Sequence, residues 1–529
     1  MKSVRLQARG RSLAAALVFA SAALVAAGCG SDGGSTAASA ATDSAALDFI
    51  PKTAIGYVTV DTDLNSDGWK QFDELAPAFN AEFTGIEQAI DAQASDADAS
   101  YERDIKPWIG DSAGAAILDG KFAGAQDAES AVAWVELDDR ASFETFLKER
   151  DFTKGSSAGD FTMYDDGGDS HVAVSDDLAF FTSGEKTLKR TVEFDGDSIK
   201  DADLGDALDE VDEDALATLV INGSGLRAAA KSNARLKALD AQLKDFNGAA
   251  VSFAAKEHGM RVDGFVDSDA KSTATNAGNE VFDELPDTTL FAVGGHDLGG
   301  SIQQTIEELG ADNPQVQQYV GAGAGALGIT VDELASALSG DFAIAAIGDD
   351  EQIGTAIGAV AGGLMGGGGL AGVKPADLAR AGGITLAFEE TDDTGATIEK
   401  TIAAASSLLK GQTTDPVTKG AFTVTSTQIG PLPISVGKTS YLSAIAIGTD
   451  SFDVWGKQHL VDNDTFSSAW KDADAPDETA GTVWLDTARI AQLANLESRE
   501  GVAPGGLVGW AEADGTDMRF TLFQHVFVS

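Results

Sequence analysis

Cysteine is almost missing from this chain: 529 residues contain one, Cys29. A lone cysteine excludes an intramolecular disulfide, and it excludes a zinc site built on paired thiolates. Basic residues are scarce as well. Lys and Arg total 36 against 84 Asp and Glu, a net charge of −48. A surface this acidic excludes capture of nucleic acid or anionic lipid by charge. It leaves a well-solvated surface, cation binding or life at high salt. The five histidines, His171, His258, His296, His459 and His525, are scattered and form no H-E-x-x-H pair. Long charge-free runs are also few, and two matter: Ser12–Gly28 and Ile353–Val373.

The first run follows Lys2, Arg5, Arg9 and Arg11 and ends in Val25-Ala26-Ala27-Gly28-Cys29. A basic n-region, an apolar stretch and small residues before a cysteine form a targeting leader. The small residues before Cys29 resemble the lipobox of bacterial lipoproteins. That resemblance makes residues 1–28 a signal peptide and Cys29 the lipidated first residue of the mature chain. Residues 29–45 are mostly Gly, Ser, Ala and Thr and read as a flexible tether. The expected location is therefore extracytoplasmic, held to the membrane through Cys29.

The remaining chain repeats itself. Phe49-Ile50-Pro51-Lys52-Thr53-Ala54-Ile55-Gly56-Tyr57-Val58 matches Glu284-Leu285-Pro286-Asp287-Thr288-Thr289-Leu290-Phe291-Ala292-Val293. Ile109-Gly110-Asp111 matches Ser339-Gly340-Asp341, and Thr218–Leu226 matches Thr482–Ile490. Ser252-Phe253-Ala254 with Met260-Arg261 pairs with Gly509-Trp510-Ala511 with Met518-Arg519. The matches keep their order, which gives two homologous halves, 46–272 and 280–529. Apolar runs such as Ala131–Leu137 and Leu178–Thr182 alternate with helical segments and Gly-Asp turns. The expected class is α+β, each half with mainly antiparallel sheet and packed helices. Residues 353–373 interrupt the second half. They carry no charge, and nine of them are Gly, which favours a loose apolar segment over a stable membrane helix.

The Pro-Lys-Thr-Ala strand, Asp104-Ile105-Lys106-Pro107-Trp108-Ile109-Gly110-Asp111 and Val174–Val192 together resemble an actinobacterial envelope family. It is the domain-of-unknown-function family numbered 3352. The resemblance implies an extracytoplasmic, two-part protein and brings no activity, cofactor or catalytic residue.

Three motifs carry candidate chemistry. Gly110-Asp111-Ser112-Ala113-Gly114 fits the G-x-S-x-G nucleophile elbow, which needs a strand before the Ser and a helix after it. A strand-like Ala-rich run follows instead, so a tight turn is expected. Val436-Gly437-Lys438-Thr439 is the tail of a P-loop, but Pro431 and Pro433 lack the N–H groups a phosphate cradle requires. Asp63, Asn65, Asp67, Gly68 and Glu74 reproduce the spacing of an EF-hand calcium loop. Lys70 falls where an apolar residue belongs, and a strand precedes the loop where a helix belongs. The competing reading is an acidic turn with Asp67 capping a helix whose Trp69, Phe72, Leu75 and Phe79 recur at helical spacing.

These observations lead to a lipid-anchored, non-enzymatic binding or scaffolding protein, with no catalytic residue and no cofactor unless calcium. The alternatives are a calcium-dependent surface module and a carrier of lipid or another apolar molecule. The carrier would need a cavity inside one half, lined by Trp134, Phe180 and Phe181. Anchoring is checked by detergent phase separation of cells expressing the full chain. The wild type should enter the detergent phase, and Cys29→Ala should move to the aqueous phase.

Overall fold

The computed structural model describes residues 44–528 apart from 96–98, 119–129, 169, 203, 209–213, 233–242, 271–273, 313, 349–382, 392–393, 410–411, 430–431, 449 and 495–499. The leader, Cys29, most of the tether and the glycine-rich segment 353–373 lie outside the described residues. The chain is mixed α/β with extensive antiparallel sheet. It divides into two compact units: Met1–Lys271 with Ser498–Ala503 and Asp514–Ser529, and Ser272–Glu497 with Pro504–Ala513.

Unit 1 holds β1 (Gly56–Asp61), β2 (Ile109–Ile117), β3 (Ala131–Leu137), β4 (Thr153–Ala158), β5 (Phe161–Asp165), β6 (His171–Val174), β7 (Leu178–Thr182), β8 (Ala215–Asn222), β9 (Phe246–Lys256) and β10 (Gly259–Ser268). Its helices include α1 (Asp67–Leu75), α2 (Ile86–Ser95), α3 (Arg140–Glu149), α4 (Glu185–Val192) and α5 (Gly223–Ser232). The ladders run β4-β5-β6-β7-β3-β2-β1-β8-β9-β10, all antiparallel. Strands β3 and β7 explain their own sequences. Alternate side chains leave opposite faces of a strand, and here both faces are covered. Trp134 and Phe180 enter one core with Leu47, Ile50, Phe161 and Phe265, while Val135 and Phe181 enter another with Trp108, Phe143 and Leu147. An unbroken apolar run is what two buried faces require. The first core begins directly after the tether. Ala45–Phe49 forms a 3-10 turn, Ala46 and Leu47 are buried, and Phe49 packs edge-on to Phe161 and Phe180.

Unit 2 holds β11 (Thr289–His296), β12 (Asp341–Ile347), β13 (Ile384–Glu389), the short β14 (Gln412–Thr413) and β15 (Val417–Lys419), β16 (Phe422–Ile429), β17 (Leu432–Lys438), β18 (Leu442–Ile447) and β19 (Gly481–Leu485). Strand β20 (Val502–Asp514) pairs with β19. The helices are α6 (Glu280–Asp283), α7 (Leu298–Asp312), α8 (Pro314–Ala326), α9 (Val331–Ala337), α10 (Thr394–Leu409), α11 (Asp464–Asp472) and α12 (Thr487–Leu493). Strands β14 and β15 both pair with β16, and the order continues β16-β17-β18-β13-β12-β11-β19-β20. From β16 to β20 this follows the unit 1 order β5-β6-β7-β3-β2-β1-β8-β9.

The last strand, β21 (Asp517–Val528), departs from the boundary expected at residues 280–529. It belongs to unit 1, pairing antiparallel with β10 from Gly259 opposite His525 to Val266 opposite Met518. Apolar surface decides this: Phe523 and Val526 are 1% exposed, and Val526 packs with Leu75, Ala78 and Met260. Phe523→Ala should therefore loosen unit 1. A loss of about 3 kcal/mol is the scale for emptying a buried aromatic site. Hydrogen exchange should show β9 and β10 losing protection while β16–β18 keep theirs; unchanged protection in β10 would contradict the pairing.

Candidate functional site

The acidic loop between β1 and α1 is a helix entry. Ser66, not Asp67, is the cap: its hydroxyl accepts from the Trp69 amide at 3.4 Å. Asp67 sits in the first turn, where a carboxylate suits the helix dipole, and meets Lys70 Nζ at 2.9 Å. Asp63 Oδ1 accepts from the Asn65 amide at 3.0 Å. Asp63, Asn65, Asp67 and Glu74 are all exposed. Among the described residues no group of three or more His, Cys, Asp or Glu side chains could hold a metal ion.

The half-buried carboxylate here is one the motif omits. Asp61 ends β1 and accepts from the Asp63 amide at 2.8 Å. Burial pushes its pKa up to about 6; hydrogen bonds from Asp63 and Ser66 oppose this, and the charges of Asp63 and Asp111 add to it. Folded protein thus keeps a proton on Asp61 that the unfolded chain, at 3.8, has lost. The stabilisation is complete below 3.8 and disappears as pH rises through about 6. Asp61→Asn should leave stability near pH 4 unchanged and raise the melting temperature progressively towards pH 7. A wild-type-to-variant difference that does not change with pH would contradict this.

The G-x-S-x-G stretch lies inside β2 and forms no elbow. Ser112 is 1% exposed, with its hydroxyl 3.5 Å from that of Ser44. A Cβ on Gly114 would collide with the Trp134 indole, so packing explains that glycine. The repeat aligns Asp61 with His296, and the ladders place Ser112 and Asp341 opposite them. Asp341, not Phe342, therefore occupies the position of Ser112. His296 Nδ1 lies 2.7 Å from Asp341 Oδ1, and Nε2 faces the carbonyls of Ala277 at 3.2 Å and Thr479 at 3.1 Å. This histidine ties three segments together and meets no nucleophile. Val436–Lys438 falls in β17, with no helix after it.

Trp134, Phe180 and Phe181, expected to line a cavity, are all packed into core. The space lies in unit 2. A cavity of about 890 Å³ opens between α10 and β16–β17. On one side stand Glu399, Ile402 and Ala403, neighbours on one helical face. On the other, Thr423, Thr425 and Thr427 project from alternate positions of β16. Thr413, Pro416, Ala421, Val436, Lys438, Thr439, Ser440 and Tyr441 complete it. The opposite face of β16 is pinned: Phe422 and Val424 are buried, and the Phe422 ring sits 5.1 Å from Phe452 and 5.3 Å from Trp455.

The same topological position in unit 1 is solid. There α3 follows β3 as α10 follows β13, but it lays Phe143, Phe146 and Leu147 onto the sheet. The Phe143 ring lies 4.7 Å from Trp108 and 6.0 Å from Phe181. A depression of about 480 Å³ remains beside α3, where Arg103 and Asp104 are already paired at 2.6 Å. Helix α10 buries Ile398 with Leu338 and Phe388 and, among its described side chains, brings Ile402 and Ala403 to the cavity. Sequence reading missed this site because its signal is the smallness of the side chains of α10 and the Thr-x-Thr-x-Thr period of β16.

The chain belongs to the protein family of unknown function DUF3352. It matches that family over residues 12–499. No curated protein matches it. Two similar solved structures are crystal forms III and I of TP0453. The first is 11% identical and covers 43% of this chain and 81% of that one, at a TM-score of 0.25. The second is 10% identical and covers 43% and 80%, also at 0.25. Among the described residues no helix is long and apolar enough to cross a membrane.

Proposed function

We propose that this DUF3352 protein is a lipid-anchored, extracytoplasmic binding protein, without enzymatic activity, that holds a small ligand in the cavity beneath α10. The single observation behind this reading is the contrast between the units. The space that Trp108, Phe143 and Phe146 fill in unit 1 stands open in unit 2, at about 890 Å³ and with hydroxyls along one wall. That volume is in the range of pockets that enclose small molecules. The shared strand order supports an origin of both halves from one duplicated unit, of which one copy kept a filled core and the other gave up packing for space. On this reading the apolar-carrier alternative moves from the first half to the second. Cys29 and the tether would hold the site outside the membrane.

The reading is tested with Nile red, an uncharged dye that brightens in apolar surroundings. The wild-type protein should enhance its fluorescence. Ala403→Trp, which places an indole in the cavity, should abolish the enhancement while changing the melting temperature by no more than a few degrees. Equal enhancement by both proteins would place the dye elsewhere and overturn the assignment.

A further inference from the structure

The walls of this cavity also select a class of ligand, an inference that rests on its being the binding site. Only two of the described residues lining it are charged, Glu399 and Lys438. The cation is neutralised from behind. Lys438 Nζ lies 2.6 Å from Glu390 Oε1. The Glu390 side chain is only 12% exposed, and its other oxygen accepts from the Ser443 hydroxyl. This pair is built into the fold. A Cβ at position 395, in the first turn of α10, would collide with both Lys438 Nζ and Glu390 Oε1, and Gly395 stands there. With Lys438 cancelled, Glu399 leaves the wall negative, inside a chain that is itself at −48. An anion entering would lose hydration and gain no free cation among the described lining residues.

What the wall does offer is uncharged. Thr413 and Thr427 satisfy each other at 3.1 Å. The hydroxyls of Thr423 and Thr425 have no hydrogen-bond partner among the described residues, and each can donate and accept. Thr423 to Thr427 covers roughly 13 Å of strand. Facing this polar strip, Ile402 and Ala403 present hydrocarbon, and Val436, opposite Thr425 on the neighbouring strand, adds an apolar patch beside it. An occupant that satisfies both walls has an aliphatic side and neutral oxygen groups. We propose that the cavity accepts an uncharged amphiphile, an acyl chain with a hydroxyl or ester head, and that Glu390 determines this preference by cancelling Lys438.

The test uses the full chain and two probes of one chain length, monodecanoylglycerol and decanoate, each titrated calorimetrically and by displacement of Nile red. The wild type should bind the glyceride at least about tenfold more tightly than the carboxylate. Glu390→Gln frees the ammonium, so decanoate should gain about tenfold or more while the glyceride stays within a factor of about three. The double variant Glu390→Gln with Lys438→Met removes both charges and guards against a folding defect; it should keep the glyceride and lose the gain in decanoate. Preference of the wild type for decanoate, or a ratio unmoved by Glu390→Gln, would overturn the proposal. If Nile red binds and Ala403→Trp blocks it but neither probe competes, the ligand class is wrong and the site stands. If Ala403→Trp leaves the dye bound, the site itself is wrong.

Discussion

Everything in this protein depends on burying both faces of its antiparallel ladders. A strand that sends Trp134 one way and Val135 the other has no solvent face. The sheet of unit 1 must therefore be covered on both sides, by the 3-10 turn after the tether on one and by α3 on the other. The same demand explains β21. Once β10 is formed, its free edge and the apolar surface around Met260 are covered by a strand from the far end of the chain, because Phe523 and Val526 have nowhere better to be buried. Unit 1 is thus incomplete until the last residues have been made.

The cavity of unit 2 is what remains when this demand is relaxed at one place. Aromatic side chains close the gap between a helix and a sheet; Ala403 and Ile402 do not. Helix α10 is secured at Ile398 and at the ion pair beneath Gly395, so it stays in position without the large side chains α3 uses. Two walls of opposite character result, because β16 turns its apolar residues to Phe452 and Trp455 and its threonines to the open side. A strand with one face fixed in a core presents its other face with little freedom, which is what a recognition surface requires.

The acidic loop shows how a motif can be right as a pattern and serve a different end. Oxygen-bearing side chains at alternating positions suit a calcium loop, and they equally suit a turn that feeds a helix, since Asp, Asn and Ser satisfy exposed amides. Here Asp61, Asp63 and Ser66 do so. Exposure decides between the two uses, and exposure is not written in spacing. The same holds for Ser112: of its flanking glycines, Gly114 is explained by the Trp134 indole and Gly110 by Glu136, neighbours from another strand that no local pattern announces.

The sequence alone determined the strands with two buried faces, the helices with a clear apolar stripe and the acidic composition. All of these follow from periodicity and composition, which act over a few residues. It also placed the folded body after the tether, where apolar residues resume at Ala46 and Leu47. Only the tertiary structure decided which space between helix and sheet is filled, which unit β21 completes, that Ser66 caps α1, and that Lys438 is neutralised by a residue from another strand end. Apart from the local Ser66 cap, each of these is settled by side chains tens to hundreds of positions apart competing for the same volume or charge. A void, moreover, leaves no residue in the sequence to mark it.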